Sequence, residues 1–212
     1  GDLSTQKVQR FETYEDLALH DCTIEEMEEY EPHIEQGIIV YAGVDYEAIL
    51  REAEEEADVI VWDGGNNDLP FYKPDLHITL VDPHRPGDEL TFFPGETNLM
   101  LAHIVIISKE EYADAENIIM VKENIKRRNP KASIIDATLK ISILNPDKIR
   151  DCKVLAVEDG PTVTHGGMAY GAAVLAAREY GASIIVDPKP YAVGSIKETF
   201  NKYPDIGKLL PA

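Results

Sequence analysis

No stretch of the 212 residues spells GxxxxGK[ST], the loop whose backbone amides cradle nucleotide phosphates. Any nucleotide chemistry here takes that loop from elsewhere or uses another anion site. Cysteine is scarce. Cys22 and Cys152 stand far apart with no CxxC, so nothing indicates a cysteine-built zinc site or a redox pair. Two lone thiols suit a reducing, cytoplasmic setting. No apolar run approaches the roughly 20 residues of a membrane-spanning helix. The opening residues are polar, without the apolar core of a signal peptide. Basic residues are few: 20 Lys and Arg against 39 Asp and Glu, a formal charge of -19. Nucleic-acid backbones and anionic membrane surfaces would be repelled. No two histidines have zinc-ligand spacing, and neither a nucleophile elbow nor a Cys–His signature occurs.

What is present is a chain of short apolar runs that end in polar residues. Val59–Trp62 is too short for a helix and right for a buried strand, with Asp63, Gly64, Gly65, Asn66 and Asn67 at its end. In open α/β sheets ligands sit at the carboxyl ends of strands. Asp63 there would hold Mg²⁺ beside a nucleotide phosphate, and the glycines would let the backbone approach it. A strand followed by an Asp-Gly turn is the plain alternative. The run Leu76–Val81 ends in Asp82-Pro83-His84-Arg85. Asp82 is placed much as Asp63 is, a second metal candidate, and Arg85 could clamp a phosphate. A proline-stiffened surface turn explains the same residues.

Taken in order, Thr13–Leu19 reads as a short helix, and Thr23 with Glu26 forms a capping box for the next. Gly37–Gly43 reads as a strand, Asp45–Glu56 as a helix capped by Asp45, and Val59–Trp62 as the following strand. That strand–helix–strand unit predicts a parallel sheet with a right-handed crossover. Strands at Leu76–Val81, Ile104–Ile107 and Ser133–Ile135 follow, with a helix over Glu116–Arg128. Alternation of this kind predicts a doubly wound, mostly parallel α/β core over residues 1–150. Residues 151–212 restart the pattern as a βαβ-type segment. It holds a strand at Lys153–Val157, a helix at Met168–Tyr180 and a strand at Ala182–Val186, and opens a C-terminal lobe.

The turn before that helix is glycine-rich: Glu158-Asp159-Gly160-Pro161-Thr162-Val163-Thr164-His165-Gly166-Gly167. Unpaired amides at a helix N-terminus attract anions. Thr162, Thr164, Gly166 and Gly167 could surround a phosphate. His165 is the strongest acid–base candidate among the histidines. A tight turn whose glycines serve packing alone remains the other reading.

These blocks resemble one family. They are Val59–Asn67, Phe71–Asp75, Val81–Gly87, Pro94–Asn98, Val157–Met168 and Asp187–Ile196. The family is the predicted GTPases related to cyclic 2,3-diphosphoglycerate synthetase. Members of that family are longer, so the resemblance implies that this chain is the part downstream of the P-loop. It also implies a SIMIBI-type P-loop NTPase core using Mg²⁺ with ATP or GTP. Asp63, Gly64 and Gly65 match the Walker-B segment. Ser108 and Lys109 fall where relatives read Asn-Lys-x-Asp, with Ser for Asn and Glu111 for Asp. The activity implied is nucleotide-dependent phosphoryl chemistry on a small phosphorylated substrate, with Arg85 and Lys189 stabilising the transferred group. The missing P-loop would come from the same protein or a separate subunit, and a homo-oligomer is expected. A regulatory or metallochaperone-like GTPase and a non-catalytic remnant are the alternatives.

Overall fold

β1 (Gln9–Phe11) pairs antiparallel with β2 (Val40–Ala42), setting Gln9 opposite Ala42 and Phe11 opposite Val40. Two helices fill the connection, α1 (Tyr14–Leu19) and α2 (Ile24–Glu35). The computed structural model describes residues 6–65, 68–158, 163–164 and 168–211. It divides into two units, residues 1–108 with 113–136 and residues 109–112 with 137–212. α2 starts on the expected capping box. The Glu26 carboxylate accepts from Thr23 N–H at 2.8 Å, and the Thr23 hydroxyl accepts from Glu26 N–H at 3.3 Å. Phe11, Leu17 and Ile34 form a small core beneath these elements. α3 (Tyr46–Glu56) is capped by Asp45, which accepts from Ala48 N–H at 3.1 Å. Its last residue, Glu56, receives a bidentate pair from Arg10 at 2.8 and 2.7 Å. That pair and the Tyr41 hydroxyl hold the Glu56 carboxyl down at about 2.

Two expectations fail in this region. β2 does not run parallel to a following strand, because its partner is β1, a three-residue strand with no sequence signal of its own. Val59–Trp62 forms no strand. Residues 58–64 make no backbone hydrogen bond to another described residue. Val59 and Val61 are 79% and 83% exposed. An isolated strand leaves its polar backbone to water and cannot hide its apolar side chains, so the pattern alone cannot make it one.

The main sheet holds β3 (Ile78–Val81), β4 (Ile104–Ile107) and β5 (Ser133–Asp136), all parallel. Ile78 aligns with Ile104 and Ser133, and Val81 with Ile107 and Asp136. Alternation then sends Val81, Val105 and Ile107 to one face. There α5 (Gly95–Leu101) and α6 (Ala115–Arg128) bury them against Leu99, Val121 and Ile125. α4 (Asp88–Thr91) adds Leu90 at the margin. α6 stops at Asn129, as its Asn-Pro signal predicts. The buried Asn129 amide donates to the carbonyls of Leu99, Met100 and Ala102 at 3.0, 3.3 and 2.8 Å. Ile78, Leu80 and Ile135 face the other way and are exposed. Among the described residues this sheet has three strands with its helices on one face, rather than a doubly wound core. The strand expected at Val59–Trp62 does not join it.

In the second unit the expected strand over Lys153–Val157 splits. β6 (Lys153–Val154) pairs parallel with β8 (Ile184–Ile185), and β7 (Val157–Glu158) pairs parallel with β9 (Leu210–Pro211). Val186 N–H donates to the Val154 carbonyl at 2.9 Å, and Leu210 N–H to the Ala156 carbonyl at 2.9 Å. The chain thus changes partners within two residues. α7 (Ala172–Glu179) lies in the connection between β7 and β8, and α8 (Gly194–Lys202) precedes β9. Ala156, Val163, Val174, Phe200, Ile206 and Leu209 form this unit's core.

Candidate functional site

β3 delivers Asp82 to the carboxyl edge of the sheet, and Pro83, which follows it, is fully buried. The Asp82 carboxylate is committed on both oxygens. Oδ1 accepts from the backbone N–H of His84 at 2.9 Å and lies 2.9 Å from its ring Nδ1. Oδ2 accepts from the Arg85 guanidinium at 3.1 Å. Burial alone would raise this carboxyl, but the His84 contacts and the Arg85 charge outweigh it and hold it below the ordinary range. The result is a local clamp. Asp82 orients Arg85 through one nitrogen and leaves the rest of the fork facing outward. Behind it, the Glu89 carboxylate accepts from Gly87 N–H at 2.8 Å and from the Asn124 amide at 2.7 Å, tying the turn to α6. Gly87 sits at φ 103, a conformation that suits glycine alone.

Ser108 extends the β4 ladder by one step, donating its N–H to the Val81 carbonyl at 3.0 Å. Lys109 follows in the left-handed region at φ 60 and is exposed. Glu111 accepts from Leu139 N–H at 2.7 Å. At the tip of β5, Asp136 pairs with Lys122 at 2.8 Å.

Asp63 is exposed, with no ion pair or side-chain hydrogen bond to another described residue. Mg²⁺ binds through one or two carboxylates completed by water and substrate phosphates. Asp63 fits that requirement as it stands, whereas Asp82 would first have to release His84 or Arg85. Gly64 packs under Trp62, and a Cβ there would lie 2.8 Å from the indole nitrogen. Trp62 in turn packs edge-on or tilted against Tyr46, Phe71 and Tyr72, with ring centroids 4.7 to 6.1 Å apart. The Tyr72 hydroxyl donates to the Tyr46 carbonyl at 2.6 Å. The segment before Asp63 is therefore anchored by rings rather than by a ladder. On its far side, the Asn98 amide donates to the Asp68 carbonyl at 2.8 Å. The buried Asn98 Oδ1 has no partner among the described residues.

The second unit holds the other sequence-derived candidates. Thr162, His165, Gly166 and Gly167 lie outside the described residues, as do Asn66 and Asn67 of the first unit. Thr164 is partly buried next to buried Val163. The anion-binding expectation for the following helix meets a prior occupant. α7 begins at Ala172, later than expected, and the buried Glu158 carboxylate accepts from Gly171 N–H at 3.1 Å and Val174 N–H at 2.9 Å. A Cβ on Gly171 would lie 2.5 Å from that carboxylate. Two of the amides that would attract a phosphate are thus satisfied from within. Lys189 is also engaged. Its amine donates to the Pro204 carbonyl at 3.3 Å and lies 5.7 Å from the Phe200 ring centroid. An open groove of about 600 Å³, lined by Glu111, Tyr112, Lys140 and Arg178 among others, contains none of the expected site residues.

Sequence reasoning missed three things here. The aromatic anchor around Trp62 draws on residues 46, 71 and 72, which share no periodicity. The role of Asn98 depends on a contact with Asp68 that no spacing announces. Glu158 opens the glycine-rich turn in sequence, but its use as a cap depends on where the helix starts.

Residues 36–138 match the family model described as cyclic 2,3-diphosphoglycerate synthetase, P-loop domain. Across all 212 residues the chain is 59% identical to a protein named arginine synthetase ArcE, from Thermococcus kodakarensis. The chain covers 47% of that protein, about half its length. No solved structure matches the chain. Residues 36–138 are thus similar to the P-loop domain of cyclic 2,3-diphosphoglycerate synthetase, and the α/β architecture with a parallel sheet fits such a domain. No helix among the described residues is long and apolar enough to cross a membrane.

Proposed function

We propose that this chain is the phosphate-facing part of a nucleotide-dependent synthetase whose whole form makes arginine. The observation that carries the reading is the 59% identity, sustained over every residue of the chain, to a protein named arginine synthetase. The match of residues 36–138 to a P-loop domain supports the nucleotide requirement. ATP or GTP would supply the phosphoryl group, because Ser108 and Glu111 depart from the guanine-selecting pattern.

In this reading Asp63 holds Mg²⁺, which when bound would neutralise charge on the nucleotide phosphates. Its exposed carboxylate, without a side-chain partner among the described residues, is the support for that role. Arg85, fixed on one side by Asp82, offers its remaining donors to developing charge on a transferred phosphoryl group. Preorganisation of this kind stabilises the transition state because no reorientation is needed as charge appears. Glu89 and Asn124 keep the turn in place. A GxxxxGK[ST] loop is brought by polypeptide outside these residues, either the same protein or a separate subunit. The match to the diphosphoglycerate synthetase domain favours one second reading, phosphoryl transfer to a phosphorylated glycerate.

The test uses the complete enzyme that contains this chain. A synthetase run in reverse makes ATP from ADP and phosphate at the expense of its product. ATP formation that requires arginine is the expected result, and Asp63→Asn should lower it on the order of 100-fold or more with the circular-dichroism spectrum unchanged. ATP formation that ignores arginine and responds to phosphorylated glycerates would replace the first reading with the second. Full activity in Asp63→Asn would remove the metal role.

A further inference from the structure

Asp63 is the candidate metal ligand, yet no backbone hydrogen bond to another described residue holds it. Two other contacts hold the chain around it. Directly before it, Trp62 packs against Tyr46, Phe71 and Tyr72. A little after it, Asp68 donates its N–H to the Gly65 carbonyl at 3.0 Å. The Asp68 carbonyl in turn accepts from the side-chain amide of Asn98 at 2.8 Å. Asn98 is firmly seated. It is 6% exposed on α5, next to Leu99, which lies in the core of this unit. Its own carbonyl accepts from the buried Thr79 hydroxyl of β3 at 3.1 Å.

The second polar atom of the amide separates packing from positioning. Asn98 Oδ1 is buried and has no donor among the described residues. A buried acceptor without a donor costs stability, and an apolar side chain of the same shape would remove that cost. Burial therefore gives no reason for an amide at this place. Its donor gives one, because that N–H reaches out of the core to the backbone of exposed Asp68.

We propose that Asn98 is a positioning residue, whose amide fixes the Asp68 end of the segment so that Asp63 meets Mg²⁺ already oriented. The proposal rests on the metal reading of Asp63 above. With both ends held, little conformational freedom is lost when a cation binds. Without the amide only the Trp62 end is held. Binding a cation then requires ordering the segment first, and affinity falls. Saturating metal restores the ordered state, so the requirement for Mg²⁺ should rise more than the maximal rate falls.

The test uses the complete synthetase that contains this chain. Asn98→Leu keeps nearly the same volume and removes both amide atoms, so its melting temperature should stay close to that of the unaltered enzyme. The Mg²⁺ concentration that gives half-maximal ATP formation should rise roughly tenfold, with the maximal rate within about threefold. Mn²⁺ in the presence of ADP, followed by its electron-spin signal, should bind more weakly by the same factor. With no metal added, the Asp68 amide should exchange with solvent roughly tenfold faster. Asn98→Ala gives the same comparison if leucine does not fit. Asn129→Ala is the control. It releases the carbonyls of Leu99, Met100 and Ala102 at the other end of α5 and does not touch Asp68. It should lower the melting temperature and leave the Mg²⁺ requirement in place. An unmoved Mg²⁺ requirement in the Asn98 variants, an unmoved Asp68 exchange rate, or an equal shift in Asn129→Ala overturns the proposal. If Asp63→Asn is inactive while Asn98→Leu keeps the original Mg²⁺ requirement, the metal reading stands and the positioning role falls. Full activity in Asp63→Asn removes the metal reading and this proposal with it, and the Asp68 exchange rate then shows whether Asn98 holds the segment at all.

Discussion

Glu158 uses its charge inside the protein. Its carboxylate closes the N-terminus of α7 by accepting from Gly171 and Val174, and glycine at 171 is what leaves it room. Removing it would strand two buried donors. Glu158→Ala is expected to cost roughly 2–3 kcal/mol, and Glu158→Gln, which retains an acceptor, about 1 kcal/mol. Urea unfolding measures both, and an alanine variant with the wild-type midpoint would refute the cap. Asp82 gives a second prediction, in pH. Its carboxyl sits below the ordinary value of 3.8 in the folded chain. A depressed carboxyl stabilises the fold fully above its unfolded value and loses that contribution as pH falls through the lower folded one. Stability should therefore decline in acid from near pH 4 downward, as His84 and Arg85 are released. Asp82→Asn should flatten that part of the acid limb. An acid limb of the same steepness in the variant would show that another group governs it.

At the scale of elements, the helices were legible wherever their ends are written locally. Thr23 with Glu26, Asp45 ahead of α3, and Asn129-Pro130 behind α6 each act over a few residues, so the chain around them decides the outcome. β3, β4 and β5 were legible because short apolar runs between polar ends have few other uses in a chain this charged. β1 and β9 were not, since two- or three-residue strands exist only through distant partners. Val59–Trp62 shows the opposite failure. Its composition is right and its partner is absent, and a strand is a property of a pair. Asn129 also carries more than a stop signal, as it satisfies carbonyls at the end of α5 and just before β4. Asn129→Ala should lower stability by roughly 2–3 kcal/mol through those unpaired groups. A melting temperature within a degree of wild type would show that water replaces the amide.

For the whole molecule, the sequence marks polar strand ends but not the state in which packing leaves them. Asp63 is exposed, although no strand presents it. Arg85 is available because Asp82 is not, a division of labour that spacing could not reveal. Lys189 and the start of α7 are occupied by groups of the same unit, and those contacts depend on tertiary packing. The exposed Val59–Val61 run carries one more consequence. An unpaired, β-branched segment is a template for irregular association between chains. Asp58 and Asp63 bracket it, and the acidic end of α3 precedes it, the arrangement that acts as a gatekeeper around unavoidable sticky segments. The excess of negative charge, which reads as repulsion toward nucleic acids and membranes, also works between copies of this chain. It opposes that association at the exposed run.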